Sequence, residues 1–99
     1  PKGINTGDLR TIANDLRGKL QAEDAVIVLL SQVDGKVSLA AAATQQAVQS
    51  GVKAGELVKL IGQYVDGKGG GKPDLAQGTG ANPAGIEDAL RAVRESLAE

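Results

Sequence analysis

The stretch from Asp66 to Gly80, DGKGGGKPDLAQGTG, constrains this chain more than any other, because it joins a flexible glycine run to two lysines and a rigid proline exit. Gly67, Gly69, Gly70 and Gly71 can take φ > 0 without a Cβ clash, so successive N–H groups can turn into one concavity, an anion-binding nest. Lys68 and Lys72 add point charge to it. Pro73 fixes its own φ and pushes Lys72 toward extended geometry, which ends the loop and predicts a short strand from Lys72 to Gln77. An ordinary glycine-rich connector has the same composition, so two readings stand: a nest that needs special backbone geometry, or a passive link. If the nest holds, Gly70→Val damages anion binding without removing charge, since a β-branched residue is disfavoured at φ > 0. A passive link tolerates the change. The affinity and Tm of Gly70→Val, set against those of Lys72→Ala, separate the two.

Two sharper phosphate motifs are absent. A P-loop needs a glycine five residues before its Gly-Lys pair and a Ser or Thr after it, whereas here Asp66 and Pro73 occupy those positions. The dinucleotide pattern G-x-G-x-x-G fails too: counted from Gly67 it ends on Lys72, and counted from Gly69 on Asp74.

A chain of 99 residues is long enough for one modest core and one domain. The absence of Met and the start at Pro1 suggest a fragment of a larger protein. With no cysteine and no histidine, disulfides, thiolate metal sites and imidazole catalysis are excluded together. A metal site would have to be all-oxygen, no EF-hand spacing is present, and no cofactor is expected. The longest apolar stretch, Ala25 to Leu30, falls far short of the about 20 residues a membrane span needs, and no signal peptide precedes it. These features predict a soluble, cytoplasmic chain with no membrane partner.

Eleven basic and twelve acidic side chains give a net charge of −1, where dedicated nucleic-acid domains are usually strongly basic. Any such binding must therefore be local. From Val52 to Asp74, Lys53, Lys59, Lys68 and Lys72 outnumber Glu56, Asp66 and Asp74, so this window is mildly positive. Tyr64 is the sole aromatic residue, which argues against stacking single-stranded bases and for recognition by shape and backbone.

Hydrophobic periodicity supplies the rest of the organisation. Leu9, Ile12, Ala13, Leu16 and Leu20 recur on one face of an amphipathic helix that begins near Asp8, with Thr6, Gly7 or Asp8 available as its cap. Ala25 to Val33 is apolar and rich in β-branched residues, Asp34-Gly35 is a two-residue hairpin signal, and Val37, Leu39, Ala41 and Ala43 alternate on the return strand. The small alanines let a helix approach the sheet closely. Thr44 to Ser50 allows one or two helical turns, and Val52 a brief strand. Leu57, Val58, Ile61, Tyr64 and Val65 line one side of a second helix, Ala54 to Val65, that ends at Asp66-Gly67. A third opens with Asn82 as N-cap and Pro83 at N1, buries Ile86, Ala89, Leu90, Val93 and Leu97, and allows Glu87 to pair with Arg91. The assembled expectation is an α/β fold: a small mixed sheet of three to four strands with a central β-hairpin, covered by about three amphipathic helices.

The run Gly69-Gly70-Gly71-Lys72-Pro73-Asp74-Leu75-Ala76-Gln77, preceded by AGELVKLIGQYV and followed by a terminal amphipathic helix, resembles the C-terminal glycine-rich domain of alanyl-tRNA synthetases. The likeness extends upstream through VIVLLSQVDGKVSLAAAAT and so covers most of the chain. It implies a tRNA-binding accessory domain that recognises tRNA(Ala) and holds the aminoacylation and editing domains of the synthetase chain in register. Lys68, Gly69, Gly70, Gly71, Lys72 and Gln77 are then the candidate RNA contacts. A related glycine-rich domain closes the DHH-family phosphoesterases, which usually carry a histidine near the glycines, and this chain has none. A structural module that helps the parent form a homodimer is the third reading. No constellation of nucleophile and base is present, so no catalytic residue is assigned. The chain alone is expected neither to activate alanine with ATP nor to deacylate mischarged tRNA, and ATP–pyrophosphate exchange by the purified chain would contradict that.

Overall fold

The structure is a computed structural model, and it describes residues 5–98. Helix α1 (Thr6–Lys19) leads into the hairpin β1 (Val26–Val33) and β2 (Lys36–Ala43), followed by the short α2 (Gln45–Gln49) and then α3 (Ala54–Val65). Strands β3 (Gly67–Gly71) and β4 (Leu75–Gly80) come next, and a 3₁₀ turn (Pro83–Gly85) opens α4 (Ile86–Ala98). The four strands lie in the order β1-β2-β4-β3, and every pairing is antiparallel rather than of mixed direction. The hairpin therefore contributes one edge strand and one interior strand.

The hairpin forms as Asp34-Gly35 dictates: both residues have positive φ, 50° and 77°, which matches the turn to the twist of the strands and aligns Val33 with Lys36. The two-residue period of β2 then sorts its side chains between two cores. Val37, Leu39 and Ala41 join Leu57, Val58, Ile61 and Val65 of α3 and Ala89 and Val93 of α4 on one face. Ala40 and Ala42 meet Leu9 and Ala13 of α1, with Ile27, on the other. All four alanines Ala40 to Ala43 are fully buried, so these weak strand formers are tolerated because helices press on both faces. Buried Thr44 locks the exit from β2, its Oγ1 accepting from the N–H groups of Ala25 and Ala47.

The glycine run is not a loop. Gly67 to Gly71 form the edge strand β3, in register with Ala76 to Gly80, and of these glycines Gly71 alone has a positive φ, 154°. Successive amides alternate in direction along a strand, so they do not converge on one concavity, and the nest expected from the sequence is absent. The glycines answer a steric demand instead. A Cβ on Gly55 of α3 would lie 2.8 Å from the Gly71 carbonyl oxygen, and one on Gly62 would lie 3.2 Å from that of Gly67. Val58 Cγ1 fills the space over Gly69 and Gly78, 2.7 and 3.0 Å from where their Cβ atoms would be. Helix α3 thus rests on β3 almost backbone to backbone.

Other expectations shift by local chemistry. The strand predicted at Lys72–Gln77 begins at Leu75, because Lys72, Pro73 and Asp74 form the turn, closed by Lys72 N–H donating to Leu75 O at 3.0 Å. Asn5, not Thr6, Gly7 or Asp8, caps α1, its side chain accepting from Asp8 N–H at 2.8 Å. Val52 forms no strand; its N–H donates to Ala47 O and closes the end of α2. Asn82 caps the 3₁₀ turn as expected. Leu97 is 40% exposed rather than buried, and Arg91 pairs with Asp88 at 3.8 Å rather than with Glu87.

Gly69→Ala should lower Tm, since its Cβ would sit 2.6 Å from Gln77 O and from Gly78 Cα, neither of which can yield. Overpacking of this kind costs about 1–3 kcal/mol, and for a domain of this size each kcal/mol lowers Tm by roughly 4–8 °C. Gly70→Ala meets only Lys59 Cε at 3.8 Å, so its Tm should hold or rise slightly. Thermal melts of the two variants check the pair, and equal destabilisation would contradict the packing account.

Candidate nucleic-acid interface

Helix α1 covers only part of its face of the sheet. Its apolar stripe seats on Ile27 and Leu29 of β1, Ala40 and Ala42 of β2, and Leu75 at the start of β4. Beyond Leu75 the same face carries Gln77 and Thr79, which pair across the ladder with Gly70 and Lys68. Of these four, Lys68 and Thr79 are exposed, and Gly70 and Gln77 are half-buried. Where this sheet edge meets the flank of α1, a groove of about 350 Å³ forms, lined among others by Arg10, Asn14 and Arg17 from the helix, by Gly70, Gly71 and Gln77 from the strands and by Lys72 and Asp74 from the turn between them.

Of the residues the sequence nominated, Gly70, Gly71, Lys72 and Gln77 meet in this groove, and Lys68 extends the same strand face past its end. Gly69 does not join them: its vacant side faces Val58 on the opposite surface. Gly70 contributes an open floor, because its missing side chain leaves only the end of Lys59 nearby. The groove's own charged residues are three cations, Arg10, Arg17 and Lys72, against the single carboxylate of Asp74. Arg17 Nη1 donates to Asp74 Oδ2 at 2.6 Å, and its second nitrogen donates to Asn14 Oδ1. Among the described residues Arg10, Lys59, Lys68 and Lys72 have no ion pair, so their charge is available to a ligand.

Sequence reasoning missed the α1 side of the site. Arg10, Asn14 and Arg17 stand at i, i+4 and i+7, a polar helical face flanking the apolar stripe, which by itself reads as a solvated surface. Only the sheet order, which sets β4 and β3 beside α1, gives that face a ligand-sized neighbour. Among the described residues no group of three or more acidic side chains could hold a metal ion, and no helix is long and apolar enough to cross a membrane.

A four-stranded antiparallel sheet between one helix and two, with a basic groove on its glycine-rich edge, defines a class of small accessory α/β domain. The chain belongs to the DHHA1 domain family, whose model matches residues 1–99. It is 52% identical over 99 residues to the alanine–tRNA ligase of Nocardia farcinica (strain IFM 10152), covering 100% of this chain and 11% of that protein. It is 55% identical over 93 residues to the alanine–tRNA ligase of Corynebacterium glutamicum (strain R), covering 94% of this chain and 10% of the relative. The chain therefore spans about a tenth of the length of these curated relatives. Its fold is similar to the crystal structure of the C-Ala domain from Aquifex aeolicus alanyl-tRNA synthetase, with a TM-score of 0.82 and 27% identity, over 93% of this chain and 80% of that one. The resemblance to the C-terminal domain of alanyl-tRNA synthetases thus holds in both sequence and fold.

Proposed function

We propose that this chain is an RNA-binding accessory module of an alanyl-tRNA synthetase, working in the cytoplasm as one domain of a longer enzyme. It grips tRNA through the sugar-phosphate backbone and helps keep the aminoacylation and editing parts of the parent in register on one molecule. The observation that carries this reading is the groove beside α1, where Arg10 and Lys72, with Lys68 farther along the same strand, have no ion pair among the described residues and stand around a glycine floor. Point charges at fixed spacing on an open surface suit a phosphate backbone, and the absence of an aromatic residue from the groove lining leaves base stacking no platform there. The similarity to alanine–tRNA ligases supports tRNA(Ala) as the partner and the remainder of the synthetase as the physical neighbour.

The test is equilibrium binding of the purified chain to tRNA(Ala), to a second tRNA and to single-stranded RNA across a salt series. Folded tRNAs should bind better than single strands. In Lys68→Ala/Lys72→Ala the slope of log K against log salt should fall by about 0.9 for each phosphate that the protein no longer neutralises. Arg10→Ala should act in the same direction although it lies 58 positions from Lys68 in sequence. Substitutions at these exposed sites change stability by less than about 0.5 kcal/mol, so Tm should not move appreciably. A salt slope unchanged in all three substitutions would place RNA contact elsewhere on the domain.

A further inference from the structure

Two grooves on the α1 side meet at a single ion pair. The first, of about 350 Å³, runs past Arg10, Asn14, Lys72 and Gln77. The second, of about 710 Å³, lies between the end of α1 and α2, beside Gln21, Thr44, Gln45 and Val48. Arg17 and Asp74 line both, so their 2.6 Å bond forms the bar between them.

That bar is not part of the framework. The turn that carries Asp74 is fixed by its own backbone: Pro73 O accepts from Ala54 N–H at 2.7 Å, and Asp74 O from Ala43 N–H at 2.9 Å. The helix that carries Arg17 is seated by Leu9 and Ala13 in the core. The side chains are 25% and 46% exposed, so water partly screens their attraction, and the Asp74 carboxylate, the more exposed of the two, is the partner free to turn away. What the pair does control is charge. While the carboxylate holds it, the guanidinium presents no net charge to a ligand, and a phosphate arriving at Arg17 meets Asp74 as well.

We propose that Asp74 acts as an internal competitor for Arg17, a gate that a nucleic-acid phosphate opens by taking the guanidinium fork while the carboxylate turns to solvent. This rests on the reading of the groove as an RNA site and adds its regulation. A single anion gains little from the exchange, since it must replace a bond already made. A backbone that also engages Arg10 and Lys72 gains enough to displace the carboxylate, and it then has one uninterrupted path along both grooves. Asp74 thereby favours polyanions of fixed spacing over isolated phosphate, and it holds affinity below what the cations alone would give.

The experiment is a two-by-two set, wild type, Asp74→Asn, Arg17→Ala and the double variant, each titrated with a tRNA transcript across a salt series, with Tm measured for each. Asp74→Asn should bind about two- to fivefold tighter, the fold-change that corresponds to a partly exposed ion pair. Its log–log salt slope should steepen by up to about 0.7–0.9, since the variant meets the phosphate with a guanidinium already free, whereas the wild type must give up an ion pair to do so. In the Arg17→Ala background Asp74→Asn should bring no gain in slope. Equal or weaker binding by a folded Asp74→Asn protein would overturn the gate, and so would the same steepening in the Arg17→Ala background. Failure of the wild type to bind tRNA even at low salt would instead overturn the RNA reading on which the gate rests.

Discussion

The approach of α3 to the glycine strand is the constraint on which the rest of this architecture hangs. A strand reading Gly-Lys-Gly-Gly-Gly has almost no side chain with which to hold itself in a sheet, and glycine loses more conformational entropy on ordering than any other residue. Two interactions offset that cost. The ladder to β4 satisfies one row of its backbone groups, and α3 lies close enough for Gly55 and Gly62 to meet the carbonyls of Gly71 and Gly67. Val58, Ile61 and Val65 of the same helix are buried in the larger core, so the helix is anchored independently of the strand it supports. Because β3 is held from this face alone, its other face needs no helix and stays open beside α1.

Much of this was legible in the chain, and the illegible part has definite causes. The bounds of α3 and the two-residue hairpin turn follow from periodicity and from Asp34-Gly35, both local signals. The strand identity of Gly67–Gly71 is not local: glycine masks the two-residue alternation by having nothing to alternate, and its reason for being there is a helix that contacts it across the fold. The cap of α1 fell one residue outside the predicted set because Asn5 and Thr6 are both good caps, and only geometry decides between them. The candidate site was half visible. Lys72 and Gln77 were found through the glycine run, whereas Arg10, Asn14 and Arg17 gain meaning only from a strand order that no periodicity encodes.

Net charge says little about how charge is placed on this surface. Its value of −1 averages over a surface on which charge is unevenly placed. Helix α4 carries Glu87, Asp88 and Glu95 together with Arg91 and Arg94 on the face of the sheet away from the groove, while Arg10, Arg17 and Lys72 gather within it beside Asp74. Screening at physiological salt limits the reach of an exposed charge to about 8 Å, so a ligand in the groove responds mainly to those cations and to Asp74.

Within β3, alternation separates two demands that the sequence presents as one. Gly67, Gly69 and Gly71 are needed bare, because α3 or the paired strand occupies the space a Cβ would take. Gly70 faces the open groove, with a backbone conformation that any residue can adopt and no neighbour closer than the end of Lys59. Packing therefore explains every glycine of the run except this one. A side chain at position 70 would not strain the strand, but it would stand in the groove between Gln77 and the flank of α1. Bareness at that position keeps the groove floor open, which suits the proposed RNA contact, and the cations around it are of the sign that a phosphate backbone requires.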